Sequence, residues 1–239
     1  LGQVESALDR FEEGLAVAES VVGLDHVLVA GVLVSLAGAS QRLGRAAEAL
    51  DRFSRAERIL ARALGPTRAA VAEVRNCLGA LCCERGDLPA ALRWYQEALS
   101  VLVAAGAGEL RLAAQYRRLG EVYRLNGDPQ RALGYCERAL DTRRRRLGPR
   151  HSAMGHYAVA RLLVQLGDSE AALPHYLQAV ECHSSAARGG EVRGETVDVA
   201  VCFRDMALIH EAQGQLERSW ELSQRALDRG RVSGGGRGG

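Results

Sequence analysis

The sequence contains no lysine, and all 31 of its basic residues are therefore arginines. Isoleucine and asparagine, which also have AT-rich codons, occur only twice each. These shortages indicate a GC-rich genome, so an arginine here carries less functional information than it would in a chain that also used lysine. Because 29 acidic residues reduce the net charge to +2, the overall charge gives no indication of binding to nucleic acid or to a membrane.

Proline and aromatic residues are also scarce, at five prolines and 5% aromatics, whereas 47% of the residues are hydrophobic and alanine is abundant. This composition favours helices that pack closely through small side chains. No segment approaches the roughly 18–20 consecutive apolar residues of a membrane-spanning helix, and no secretory signal is visible. We therefore expect an all-α protein without membrane insertion.

The motifs of common catalytic and metal sites are missing as well. There is no phosphate-binding loop, dinucleotide fingerprint, nucleophile elbow or HExxH helix, and no two cysteines form a CxxC pair. We expect no catalytic residue, no metal and no cofactor, and we expect reduced, structural cysteines in an intracellular compartment. His156 and His210 are predicted to be core histidines, and His26 and His151 to lie in capping turns. The arginine run in residues 142–148 is expected to interact with the carbonyl groups at a helix end.

One helix-start pattern recurs along the chain, as GDPQRALGYCERAL, GDLPAALRWYQEAL, GRAAEALDRFSRAE and GDSEAALPHYLQAV. In the first of these, Asp128 is placed to cap the helix and Pro129 stands where no N–H is needed. The glycine that precedes each of these helices is followed by a small residue at offset 5, usually a ring at offset 9 and a small residue at offset 12, which share one helical face. Successive spacings of these glycines are 42, 42, 41, 40 and 47 residues, from Gly2 through Gly44, Gly86, Gly127 and Gly167 to Gly214.

A second helix precedes each of these glycines after Gly2, with its own small residue seven positions before the glycine: Ala37, Gly79, Gly120, Ala160 and Ala207. Each repeat is therefore a helix A, a short glycine turn and a helix B. Because two helices cannot bury their own apolar faces, successive repeats must stack. The pattern predicts an all-α solenoid of stacked antiparallel helix hairpins.

These residues resemble the tetratricopeptide repeat, in which a small residue in helix A is followed by alanine, aromatic and alanine in helix B. The spacing is longer than the usual 34 residues. The linking segments VVGLDHVLVA, ALGPTRAAVA and RLGPRHSAMG, together with Pro174 in helix B, resemble the 42-residue repeats of kinesin light chains. Long repeats also occur in bacterial signalling proteins and in ciliary proteins. Cys136 and Ser223 depart from the pattern because they replace the ring. We expect a kink at Pro174.

The repeats predict the following organisation. A partial unit with helix B only (1–26) precedes five units and a disordered glycine- and arginine-rich tail. Because the first helix B lacks its helix A, we expect the sequence to be a piece of a longer protein. The fourth unit is expected to contain an extended loop at 184–196. The five units and the tail span residues 27–68, 69–109, 110–151, 152–195, 196–229 and 230–239.

The family resemblance implies a right-handed superhelix whose concave groove is lined by helix A and binds partner peptides. Groove side chains should come from helix A positions away from the packing stripe. Arginines among them favour an acidic partner, although Arg117, Glu121 and Arg124 are also spaced to pair along one helix. Asn76 either bonds an extended peptide backbone or is an ordinary solvated side chain. The predicted groove residues are Asn76, Arg117, Glu121, Arg124, Tyr157, Arg161, Gln165 and Arg204.

The sequence therefore predicts a non-catalytic scaffold or adaptor, similar to kinesin light chains, that binds protein or peptide segments. The alternative is a regulatory or structural arm of a larger protein, either a signalling ATPase or a ciliary, axonemal assembly. Both hypotheses place the protein in the cytoplasm. The resemblance to kinesin light chains also allows a location at the cytoskeleton, and the second hypothesis allows one at the cilium. Neither hypothesis involves nucleic acid or catalysis.

Overall fold

The computed structural model describes residues 2–188 and 197–234. Within these ranges the protein is all-α, with eleven α-helices, a 3₁₀ turn at Pro149–His151 and no β-strand, which confirms the predicted fold class. The helices are α1 (Gly2–Val22), α2 (Val27–Arg42), α3 (Ala46–Leu64), α4 (Ala69–Glu84), α5 (Leu88–Ala104), α6 (Glu109–Leu125), α7 (Pro129–Leu147), α8 (Ala153–Gln165), α9 (Ser169–Arg188), α10 (Val199–Ala212) and α11 (Leu216–Gly234).

The helices form two compact units, Leu1–Asn126 with α1–α6 and Gly127–Gly239 with α7–α11. In each unit every helix packs against the next one along the chain. The tightest pairs are the predicted hairpins α2–α3, α4–α5, α8–α9 and α10–α11. Neighbouring hairpins then pack through α3 and α4, through α5 and α6, and through α9 and α10. This is the stacking that a two-helix repeat requires.

The turn between α4 and α5 illustrates how the sequence separates helix A from helix B. Gly86 adopts φ +77°, a conformation that is strained for residues with a Cβ atom. This turn lets the Gly86 N–H donate to the Cys83 carbonyl and the Asp87 N–H donate to the Cys82 carbonyl, so the end of α4 is satisfied. Asp87 then caps α5 by accepting a hydrogen bond from Ala90 N at 3.1 Å. Asp128 caps α7 in the same way, through Arg131 N at 3.0 Å.

The small–ring–small face of each internal helix B is buried as predicted. On α3, Ala49 and Ala56 have no exposed surface and Phe53 is 2% exposed. The same positions are buried on α5, on α9 and, with Cys136 in place of the ring, on α7. On α11 the corresponding Ser223 is exposed, and its hydroxyl group makes this face compatible with water.

Helix A and helix B approach each other closely in the α4–α5 hairpin, where helix A has a glycine. A Cβ atom at Gly79 would lie 2.7–3.0 Å from three carbons of the Tyr95 ring. These distances are shorter than any ordinary carbon–carbon contact. The small residue predicted at this position of helix A is therefore required by the ring that packs on it.

An ion pair replaces apolar contacts at one point of the first unit. Arg75 of α4 donates to Glu57 Oε1 of α3 from both Nε, at 2.9 Å, and a terminal guanidinium nitrogen, at 2.7 Å. The two side chains are only 16% and 12% exposed. Glu97 of α5 lies 3.7 Å from Arg75 Nε and is more accessible to solvent. One guanidinium thus connects three helices.

Two predicted irregular segments are partly helical. Residues Ser184–Arg188 continue α9, so the predicted loop at 184–196 is wrong for these residues, and residues 189–196 lie outside the described part of the chain. Likewise α11 extends to Gly234, so the expected disorder of the tail is wrong for residues 230–234, and 235–239 are outside the described residues. Helix α9 also continues through Pro174 without interruption.

Candidate functional site

In the first unit, the predicted groove residues lie on α4 and α6. Asn76 of α4 is half-buried, and its Oδ1 atom is shielded from solvent and accepts no hydrogen bond from the described residues. On α6, Arg124 forms a two-point ion pair with Glu121, with a distance of 3.0 Å from Nε to Oε2 and 2.5 Å from a terminal nitrogen to Oε1. Pairing along one helix is therefore what the structure shows for Glu121 and Arg124. Arg117 lies on the same helix with its side chain exposed.

In the second unit, a cleft of about 360 Å³ opens beside α8 and α10, and we call it the α8–α10 cleft. Two of the predicted groove residues, Arg161 and Gln165, line it. Its apolar lining includes Val164 and Leu208, which are 38% and 56% exposed. The complete lining consists of Arg161, Val164 and Gln165 on α8, Ser169 and Tyr176 on α9, and Asp205, Leu208, Ile209 and Ala212 on α10.

Arg161 stacks on Tyr157, and Tyr157 in turn contacts Tyr176. The guanidinium carbon of Arg161 lies 5.7 Å from the ring centroid of Tyr157, one helical turn away, within cation–π distance. The Tyr157 ring meets Tyr176 edge to face, with centroids 6.0 Å apart. Burial raises the pKa of both phenols, so both stay neutral over the physiological range. Tyr176 donates to Asp205 Oδ2 at 3.4 Å across the cleft wall.

The arginines of the second unit differ in their partners. Arg204 is held by Asp205, with 2.9 Å between a terminal guanidinium nitrogen and Oδ1. Arg161, in contrast, has no carboxylate within ion-pair distance among the described residues, and its side chain is exposed. Arg161 is therefore the cation of this cleft that is best placed to receive an anionic group.

Sequence reasoning missed the apolar lining of the cleft and the carboxylate of Asp205. Leu208 occupies the position six residues before its glycine, the same position that Arg161 occupies in the preceding repeat. An apolar residue in a predicted groove position was the signal that could have identified the cleft. The role of Asp205 could not be found in this way, because it depends on the contact between α9 and α10.

The described part of the chain contains no cluster of candidate metal ligands, and burial disfavours the thiolate form of four of its cysteines. No group of three or more His, Cys, Asp or Glu side chains in residues 2–188 and 197–234 converges to hold a metal ion. All six cysteines are free, and burial raises the pKa of Cys77, Cys82, Cys83 and Cys202, which keeps these thiols protonated and weakly nucleophilic. None of the described helices combines the length and hydrophobicity needed to cross a bilayer.

The family model described as tetratricopeptide repeat matches residues 28–102 and 110–185. A search of curated protein sequences finds no match to this chain.

Among solved structures, BtubC (BKLC) from P. vanneervenii has a similar fold, with a TM-score of 0.78 and 20% identity over 99% of this chain and 92% of that one. A candidate kinesin light chain from Podosopora anserina with nearly identical TPR-like repeats gives a TM-score of 0.70 and 18% identity, over 89% and 99% of the two chains. YrrB, described as a TPR protein with an unusual peptide-binding site, gives 0.60 and 15%, over 90% and 91%. These similarities confirm the solenoid of helix hairpins.

Proposed function

Because this chain belongs to the tetratricopeptide repeat family, we propose that it is a non-catalytic scaffold that binds acidic segments of partner proteins on its helix A faces. The observation that carries the proposal is Arg161, an exposed guanidinium without a carboxylate partner among the described residues, at the edge of an apolar cleft. YrrB, which has a similar fold, is described as having an unusual peptide-binding site, and this supports peptide binding by a chain of this fold.

The α8–α10 cleft suits a segment in which an apolar side chain stands next to a carboxylate. The apolar side chain would contact Val164 and Leu208, which are exposed to water in the absence of a partner. The carboxylate would pair with Arg161, whose orientation is already restricted by the Tyr157 ring. Restricting a long side chain before binding lowers the entropy lost on association. Hydrophobic burial and charge pairing would thus act at one site.

Of the charge changes at the α8–α10 cleft, reversal of Arg161 should weaken peptide binding most. For a fluorescent peptide that carries leucine between aspartate and glutamate residues, we expect micromolar affinity, about −8 kcal/mol, which decreases as salt increases. Arg161→Glu should lower the affinity at least tenfold, a loss of about 1.4 kcal/mol, because it replaces attraction by repulsion. Fluorescence anisotropy titrations measure both effects.

Arg225→Glu is the matched control for this experiment. Arg225 is exposed on α11, and it does not line the α8–α10 cleft. This variant has the same change in net charge and should bind the peptide like the unaltered protein. If the two variants bind equally well, or if a peptide with Asn and Gln in place of the acids binds as tightly, the proposed site is wrong.

A substitution of Asn76 tests whether the first unit also binds peptide segments. A shielded carbonyl oxygen without a hydrogen-bond donor costs about 1–3 kcal/mol, and the amide would gain by turning towards the backbone of a bound segment. We expect Asn76→Leu to raise the melting temperature while it weakens the binding of extended peptides to the first unit, regardless of peptide charge. Thermal unfolding and an anisotropy titration with such peptides separate these two effects. A variant that is less stable and binds normally would show that Asn76 has only a structural role.

A further inference from the structure

Two histidines that no proposed binding role involves meet inside the second unit. His156 of α8 and His175 of α9 lie with their Nδ1 atoms 3.2 Å apart and their ring centroids 5.3 Å apart. His156 is 4% exposed. It occupies the helix A position eleven residues before the glycine, where three other repeats hold Leu33, Tyr116 and Phe203 and the remaining one holds Arg75. A titratable ring has therefore replaced an apolar side chain in a buried contact.

The geometry allows this contact in only some protonation states. A neutral imidazole has one nitrogen that donates and one that accepts. At 3.2 Å one Nδ1 must donate to the other, so at least one ring has to lack a proton at this atom. When both rings are imidazolium ions, two N–H groups and two positive charges face each other in a poorly solvated place.

Two charged residues of α7 act on the pair. Arg144 lies near His156, and Glu137 lies near His175. Burial, the facing His175 and then Arg144 lower the pKa of His156 to about 4. Burial also lowers the pKa of His175, an effect that Glu137 opposes. Because α7, α8 and α9 all contribute to this cluster, its protonation affects two neighbouring repeats.

We propose that the His156–His175 contact is an acid-sensitive joint, which holds α8 to α9 at neutral pH and loosens this hairpin when both imidazoles are protonated. The unfolded chain takes up protons near pH 6.5, whereas folded His156 resists them. The stability that the pair contributes is therefore complete above about pH 6.5 and is lost as the pH falls from there towards 4.

The loosening would also reach the proposed binding cleft, and this consequence depends on the proposed function. Tyr157 and Tyr176 directly follow the two histidines in sequence and contact each other, and Tyr176 lines the cleft. A change in the spacing of α8 and α9 would therefore displace the ring that orients Arg161. Acid should weaken peptide binding through this route.

The test compares the whole protein with its His156→Leu variant, which introduces the side chain found at this position in α2. Between pH 7.5 and pH 5.0 the melting temperature of the unaltered protein should fall by about 5 °C more than that of the variant. His210→Gln is the control, since His210 lies on α10 and bonds to Gln215 instead of another histidine. It should show the same acid sensitivity as the unaltered protein. Equal losses in the unaltered protein and His156→Leu would overturn the proposal.

A second measurement uses only the unaltered protein, so it does not depend on whether a variant folds. NMR titration of the histidine rings in the unaltered protein should show His156 taking up its proton well below pH 6, accompanied by lower amide protection factors in α8 and α9, measured relative to the intrinsic exchange rate at each pH. A midpoint near 6.5 without such an exchange change would overturn the proposal. Peptide affinity at both pH values is the third readout. If the peptide fails to bind even at pH 7.5, the proposed function fails, while the joint is still judged by the melting and NMR results.

Discussion

Replacing Arg75 with leucine should lower the free energy of unfolding by about 3 kcal/mol. The substitution leaves the carboxylate of Glu57, which is only 12% exposed, without the guanidinium that donates two hydrogen bonds to it. An uncompensated charge in such a position costs more than the apolar contacts of the new leucine contribute. Equilibrium urea denaturation followed by circular dichroism measures the loss.

The decisive control is the double variant Glu57→Leu/Arg75→Leu. Other repeats hold Leu33 at the position of Arg75, and Leu99 and Leu140 at the position of Glu57. The double variant therefore restores the apolar pair of the repeat and should be at least as stable as the unaltered protein, because two desolvated charges have been removed. Glu57→Leu alone should cost less than Arg75→Leu alone, since Glu97 remains 3.7 Å from the guanidinium. If the two single losses simply added in the double variant, the ion pair would have no part in them.

Gly79→Leu should destabilise the α4–α5 hairpin by about 3 kcal/mol or more. Even a Cβ atom at this position would lie 2.7 Å from the Tyr95 ring, and that ring is enclosed in the core. The backbones of α4 and α5 would have to separate, which would also disturb the packing of α6 on α5. Thermal and urea denaturation of the variant measure the effect.

Gly38→Leu is the matched control, since Gly38 is also a glycine within a helix A. A Cβ atom there meets nothing within 4 Å. This variant should lose no stability and should gain about 0.5–1 kcal/mol, because leucine favours a helix more than glycine does. In the double variant Gly79→Leu/Tyr95→Ala, the smaller residue at 95 should recover part of the loss. If Gly79→Leu and Gly38→Leu behaved alike, close packing of this hairpin would not be the reason for the glycine.

The fold could be predicted because its signals are local and repeated. The glycine turns, the Asp caps and the small–ring–small spacing each act within one hairpin, so a single sequence displays them several times. Positions such as Ala49, Phe53 and Ala56 were correctly placed in the core for this reason. The helical ends of the predicted loop and tail were missed, because Gly, Ser and Arg favour irregular structure only on average and helices α9 and α11 extend into them.

The candidate site was predictable only as a set of positions. Sequence spacing placed Arg124, Arg161 and Arg204 on helix A surfaces, but their partners differ. Arg124 pairs within its own helix, Arg204 pairs with the adjacent Asp205, and Arg161 stacks on a ring and meets no carboxylate in the described residues. Which arginine is available to a ligand depends on rotamers and distances that the spacing does not contain.

The sequence alone therefore determined the repeat, its helices and the faces that are buried, since each follows from the chemistry of neighbouring residues in a short segment. Tertiary structure decided where charges and titratable rings come together: Arg75 with Glu57, His156 with His175, and Arg161 at an apolar cleft. The two pairs and the cleft bring together residues from different helices, and their interaction free energies depend on distance and on exclusion of water. Both quantities arise only when the hairpins have packed.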